Sequence, residues 1–147
     1  MSTDRDRIGV LGLGLMGAGM ATRIHAQGWP LVVYDIAEER CAPLRTKGAV
    51  VASSAKDLAD QADIVISCLP SIEVSKKVSC GPGGIVEGRA VGIYVETGTV
   101  GTAAMIEIGD TLARAGIATI DGPVSGGQGG ADAGTLSTIL AGPPDAI

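Results

Sequence analysis

The sequence predicts an α/β domain: a doubly wound, mostly parallel sheet covered by helices on both faces. Three observations carry that prediction. Apolar stretches of strand length (7–11, 30–34, 49–51, 64–68, 92–96, 117–121 and 136–141) alternate with helical patterns (16–27, 37–47, 55–61, 72–79 and 102–115), the order that parallel strands with crossover helices produce. The connections are short, with no internal repeat or low-complexity linker. The 147 residues are 46% hydrophobic, yet Trp29, Tyr34 and Tyr94 are the only aromatics. A core of Val, Ile, Leu, Ala and Met is therefore expected, as suits strands buried on both faces. One domain of this length has enough chain for a proper core.

The first strand-turn-helix carries the most chemistry. Ile8-Gly-Val-Leu-Gly-Leu-Gly-Leu-Met-Gly17 runs from an apolar strand through Gly12-x-Gly14-x-x-Gly17 into a helix that Gly28 ends. Gly12 permits the tight turn, Gly14 lets backbone approach a pyrophosphate, and Gly17 lets the helix pack close to the strand. Leu13, Leu15 and Met16 complete this cradle, whose free N–H groups and helix dipole face the anion. A second strand, Leu31-Val-Val-Tyr34, ends in Asp35, 18 residues beyond Gly17. A dinucleotide fold places there the carboxylate that holds a ribose diol. Such a carboxylate repels a 2′-phosphate, so Asp35 favours NAD over NADP. Arg40, one turn into the next helix, could in principle meet a phosphate, but it reads first as a solvated helix charge. The alternative reading of the motif is a glycine-rich turn without a ligand.

Later elements place further candidates. Pro43 falls inside the stretch 37–47 and should kink or shorten that helix. The fourth strand ends in Ser67-Cys-Leu-Pro70, where Leu69 and Pro70 would wall the cofactor and Cys68 reads as a small buried hydrophobe. Gly81-Pro-Gly-Gly84 is a turn, and residues 122–134 are glycine-rich. Ser125, Gly126 and Gly127 would offer a hydroxyl and successive backbone N–H groups to an anion. Asp121 reads as a loop cap. Ligands of such sheets lie beyond the carboxyl ends of the strands, so Pro70, Thr99 and Ser125 should border one crevice.

Charge and cysteine content bound the function. The net charge is −5, without the basic footprint of a nucleic-acid binder or a polybasic membrane segment. The polar start, residues 1–7, does not read as a signal peptide, and no apolar run approaches spanning length. Three cysteines and one histidine lack metal-ligand spacing. Reduced cysteines in a cytoplasmic protein, with no metal, are the expectation.

Three segments together resemble the β-hydroxyacid dehydrogenase family, which includes 3-hydroxyisobutyrate and 6-phosphogluconate dehydrogenases. They are Gly9–Gly17 with Met16 before the third glycine, Ser67–Pro70, and Asp121-Gly-Pro-Val-Ser-Gly-Gly127 with Gly130-Ala131 and Gly134-Thr-Leu136. The wording Pro-Val-Ser-Gly-Gly looks closer to the hydroxyisobutyrate branch. The resemblance implies a Rossmann fold, NAD as cofactor, Thr99 near the nicotinamide, and Ser125, Gly126 and Gly127 at a substrate carboxylate. Relatives commonly show Asp-x-Ser-Thr where this chain has Glu96-Thr-Gly-Thr99, so a hydroxyl is lost at Gly98 and Glu96 gains a methylene.

The resemblance covers nearly the whole chain but only the first of two domains that such enzymes possess. Pro143-Pro-Asp-Ala-Ile147 looks like the opening of a helix that never arrives. Residues 1–147 therefore read as one dinucleotide-binding domain, truncated at its C-terminal end, with the helical domain absent. The family's catalytic lysine lies in that second domain, so this chain holds no catalytic residue; Lys47, Lys56, Lys76 and Lys77 read as solvated positions. The implied function is the cofactor domain of an oxidoreductase that oxidises a short 3-hydroxy acid. The isolated chain should bind cofactor with little turnover, and an uncovered apolar face should favour a homodimer or self-association. The alternatives are a non-catalytic dinucleotide-binding module or sensor, and a fragment of an imine reductase-like enzyme.

Overall fold

The structure, a computed structural model, describes residues 5–147. The first four residues of the polar start fall outside the described residues. Six strands form one parallel sheet: β1 (Ile8–Leu11), β2 (Leu31–Tyr34), β3 (Val50–Val51), β4 (Ile64–Ser67), β5 (Ile93–Glu96) and β6 (Ala118–Asp121), in the order β3-β2-β1-β4-β5-β6. The winding reverses between β1 and β4, and the predicted doubly wound class is the one observed. In register, Leu11 pairs with Tyr34 and Ser67, Ser67 with Glu96, and Glu96 with Asp121. The strands therefore end flush, and Gly12, Asp35, Cys68, Thr97 and Gly122 follow in one row along the carboxyl edge.

Alternation along the strands divides the core between the two faces. Ile8, Val10, Leu31 and Val33 pack with Ala21, Cys41, Leu44 and Ala49 on one side. Leu11, Val32, Val65 and Tyr94 pack with Leu58, Ile85, Ile108 and Leu112 on the other. One aromatic side chain joins the expected aliphatic core. Tyr94 is among the largest fully buried side chains, and it is tolerated because its hydroxyl donates to Glu96 Oε2 at 2.8 Å. No methionine among the described residues is fully buried.

The helices are α1 (Leu15–Ala26), α2 (Ala42–Thr46), α3 (Ala55–Gln61), α4 (Ile72–Cys80), α5 (Thr102–Arg114) and α6 (Gly127–Ala133). Ser54 and Ser71 cap α3 and α4, accepting from the N–H of Asp57 and Val74. Pro43 does shorten its helix: residues Glu38–Cys41 form a 3-10 turn, and α2 restarts with the proline in its first turn, where its missing N–H costs nothing.

Two expectations are corrected. The stretch 136–141 is not a full strand of the main sheet. Only Ser137–Thr138 (β8) is extended, pairing antiparallel with Val124–Ser125 (β7), while Ala141 makes an isolated bridge with Asp121. The cause is the left-handed turn at Gly134 (φ 71°), which sends the chain back along β7; Ile139 consequently stays 83% exposed. The glycine-rich segment after Gly126, for which no helix is predicted, contains α6. Tertiary contact overrides its poor propensity: α6 lies so close to α1 that a Cβ on Gly19 would meet Ala131 Cβ at 2.9 Å.

Candidate functional site

The reversal between β1 and β4 opens a cleft at the carboxyl edge, where a doubly wound sheet holds its ligand. The cleft measures about 560 Å³ and is lined by Gly12, Gly14, Leu15, Met16, Asp35, Leu69 and Pro70 from the predicted set, within the usual size range for small-molecule sites. Seven further lining residues lie outside the predicted set: Leu11, Tyr34, Ile36, Arg40, Cys68, Val74 and Val78. Val74 and Val78 were legible in principle, because their i,i+4 spacing puts both on one side of α4. Ile36 carried a weaker signal, an apolar residue directly after Asp35 that remains 93% exposed.

The three motif glycines answer different demands. Gly12 has φ +89°, and a Cβ there would lie 2.2 Å from the Cys68 carbonyl oxygen. A Cβ on Gly17 would lie 1.8 Å from the Gly12 carbonyl oxygen. The protein itself therefore requires both. Gly14 differs: its φ is −66°, which suits any residue, and a Cβ there meets nothing within 4 Å. Neither backbone conformation nor packing requires a glycine at 14, whereas a ligand lying against the backbone would. Gly14 is also the N-cap of α1, with no side-chain cap and no acidic residue in the first turn. The first intrahelical bond runs from the N–H of Ala18 to the Gly14 carbonyl, so the N–H groups of Leu15 and Met16 have no helical partner. The cradle thus fits an anion, and the apolar lining beside it fits a flat ring.

Asp35 has more partners than its expected role implies. Its carboxylate is nearly buried, accepting from the N–H of Leu13 at 2.7 Å and of Ala37 at 2.8 Å. It therefore braces the glycine loop. A carboxylate has roughly four lone-pair sites, so two remain for ribose hydroxyls. Leu13 has a buried side chain that lines the groove adjoining the cleft, and its N–H donates to Asp35. Arg40 is not merely a solvated charge, since its guanidinium lies 3.6 Å from Asp35 Oδ2 at the cleft rim. A second groove of about 620 Å³ adjoins through Gly14, Leu15 and Arg40 and runs toward Gln128 and Asp132 of α6.

Thr99 lies in a smaller depression with Gly98 and Val100, which shares Leu69 and Pro70 with the cleft. Ser125, Gly126 and Gly127 are exposed beyond the end of β6 and line neither hollow. Gly126 and Gly127 take φ of +136° and +62°, a run that favours glycine. Between these loops sits Glu96, fully buried, with Oε1 accepting from the Gly98 N–H at 2.9 Å and Oε2 from Tyr94. Burial pushes its carboxyl up, partly offset by those two bonds, while Asp121 adds repulsion. Burial also raises the Cys68 thiol, keeping it protonated. Lys56 pairs with Asp60 and Lys76 with Glu107, and no lysine lines the cleft. No cluster of His, Cys, Asp and Glu among the described residues could hold a metal, and no described helix is long and apolar enough to cross a membrane.

Comparison with known proteins agrees with this geometry. Residues 7–147 match the family model described as the NAD binding domain of 6-phosphogluconate dehydrogenase. The chain is similar to the probable mitochondrial 3-hydroxyisobutyrate dehydrogenase of Dictyostelium discoideum, 34% identical over 97% of this chain and 45% of that protein. It superposes on the 3-hydroxyisobutyrate dehydrogenase of Mycobacterium tuberculosis, solved with L-serine, with a TM-score of 0.87 and 28% identity over 97% of this chain and 48% of that one. Psf3, solved in complex with NADP+ and 2-OPP, gives a TM-score of 0.88 and 32% identity over 95% of this chain and 50% of that one. The chain spans about half the length of the relatives it matches. With a reversing parallel sheet, a glycine cradle and a match over nearly its whole length, the chain belongs to the family of NAD binding domains of 6-phosphogluconate dehydrogenase.

Proposed function

We propose that this chain is the cofactor-holding part of an NAD-dependent oxidoreductase acting on a short 3-hydroxy acid. The observation that carries the reading is Gly14, a glycine that neither backbone conformation nor packing requires. The N–H groups of Leu15 and Met16 would hold the pyrophosphate. Asp35 would accept from the ribose hydroxyls. Ile36, Leu69, Val74 and Val78 give the adenine an apolar bed. Pro70 and Thr99 lie toward the nicotinamide end, and Ser125, Gly126 and Gly127 would receive the substrate carboxylate. When bound, NAD supplies a ring able to accept a hydride.

The residues around the cleft bind and orient, but none offers a lysine or histidine to take the alcohol proton. Proton transfer by a positioned group is worth roughly 10²–10⁴-fold in rate. We therefore expect the 147-residue chain to bind NAD while turning over little. The test joins this chain in frame to the C-terminal half of a relative and assays NADH formation with a panel of short 3-hydroxy acids. Activity on at least one of them supports the reading, and a folded, NAD-binding fusion inactive on all of them refutes the hydroxy-acid assignment.

A further inference from the structure

The pair Glu96 and Gly98 carries an inference that rests on the NAD reading and goes beyond it. Glu96 closes β5, is fully buried, and touches neither cleft. Yet it is bonded to the start of both substrate-side loops. Its Oε1 accepts from the N–H of Gly98, next to Thr99, and its backbone carbonyl accepts from the N–H of Gly122, three residues before Ser125. Thr97 fixes the same corner to β4, its hydroxyl donating to the Ser67 carbonyl at 2.6 Å. Tyr94, two residues back on the same face of β5, holds the second carboxylate oxygen.

Gly98 completes the unit. It lacks the positive φ that would exclude a side chain. What a Cβ there meets is Glu96 Oε1 at 3.0 Å, while the Leu69 carbonyl and Val100 stand back at 3.7 Å. A Cβ at 98 therefore stands tighter against the carboxylate than ordinary contact allows, and either the Glu96 side chain or the turn must give by a few tenths of an ångström. A glycine at 98 and a long acid at 96 are thus two halves of one arrangement.

We propose that Glu96 and Gly98 form a coupled positioning unit, in which the buried Glu96 carboxylate fixes the turn that presents Thr99 to the nicotinamide end of the cleft. A side chain at 98 crowds the carboxylate and tilts the turn. Shortening residue 96 to Asp gives that side chain room while keeping a local acceptor for the N–H at 98, since Asp bonds the backbone two residues on.

The test is a double-mutant cycle on the 147-residue chain: wild type, Gly98→Ala, Glu96→Asp and both together. Each is titrated with NAD and with ADP-ribose, which lacks the nicotinamide, and each is unfolded by heat. Gly98→Ala is expected to weaken NAD roughly tenfold, the scale of one lost charge-assisted hydrogen bond, with ADP-ribose changed less than about twofold. In the Glu96→Asp background the same substitution is expected to cost NAD affinity less than about threefold, the non-additivity of residues in contact. Additive effects overturn the coupling. Parallel losses of NAD and ADP-ribose overturn the positioning role, because a loosened fold weakens both alike. If wild type binds neither ligand, the proposed function itself fails, and coupling in the unfolding midpoints alone reduces the pair to a packing feature, which also overturns this inference.

Discussion

Replacing Gly14 and Gly17 by alanine, one at a time, separates a glycine kept for a ligand from a glycine kept for the fold. At Gly17 the new methyl lies 1.8 Å from the Gly12 carbonyl oxygen. The helix must move off β1, and overpacking of this kind costs about 1–3 kcal/mol. At this chain length each kcal/mol shifts the melting temperature by about 3 °C, so Gly17→Ala should melt about 3–9 °C low. At Gly14 the methyl enters open space at φ −66°. Reduced unfolded-state entropy contributes about 0.4–1 kcal/mol of stability, and alanine's poorer N-cap behaviour removes a similar amount. The free Gly14→Ala protein should therefore melt within about 2 °C of wild type.

Ligand binding reverses the order of the two positions. The methyl at 14 stands where the pyrophosphate must approach and displaces it from the N–H groups of Leu15 and Met16. Losing one or two charge-assisted hydrogen bonds weakens NAD by about 10–100-fold. Thermal unfolding with and without NAD reads both quantities together. NAD at a hundred times the wild-type Kd stabilises wild type by about 2.7 kcal/mol, a rise near 8 °C that Gly14→Ala at the same NAD concentration should cut to about 1–4 °C. The reasoning is refuted if Gly14→Ala melts as low as Gly17→Ala without ligand, or if it keeps the full NAD-induced rise.

Three further outcomes are expected. Wild type should bind NAD at least tenfold more tightly than NADP in parallel titrations; Asp35→Ala should erase that preference and, by freeing the N–H groups of Leu13 and Ala37, lower stability by about 1–3 kcal/mol. Arg40→Ala should weaken NADP more than NAD, because it removes the cation 3.6 Å from Asp35; equal losses would show that Arg40 does not meet the 2′-phosphate. Glu96, with its folded pKa raised above the ordinary 4.5, binds its proton more tightly in the folded state, so its contribution is largest below pH 4.5 and is lost as pH rises through the raised value. Chemical unfolding across that window should show the decline in wild type, on top of any change from other groups, and a flatter profile in Glu96→Gln.

Most of the site that the motif could specify was legible. Gly12 and Gly17 follow from sterics that any strand-turn-helix of this kind must meet, and Asp35 from the flush ends of β1 and β2. The surplus of Gly14 was legible as spacing, but only coordinates reveal that it faces open space. What escaped depends on long-range contact. The helix α6 forms from a segment of poor propensity because small residues let it lie against α1 at Gly19. The stretch 136–141 has a strand's composition, yet the turn at Gly134 takes it to β7. The change from the relatives' pattern at 96 and 98 reads in sequence as one gain and one loss. In space the two positions are adjacent, because a Cβ at 98 would stand 3.0 Å from the Glu96 carboxylate.

The most direct test of the central claim is a crystal structure of the chain grown with NAD. The pyrophosphate is expected against Gly14 and the N–H groups of Leu15 and Met16, with both ribose hydroxyls within hydrogen-bond reach of Asp35. NAD seated elsewhere on the protein, or a ribose turned away from Asp35 with the pyrophosphate off the α1 N-terminus, would contradict it.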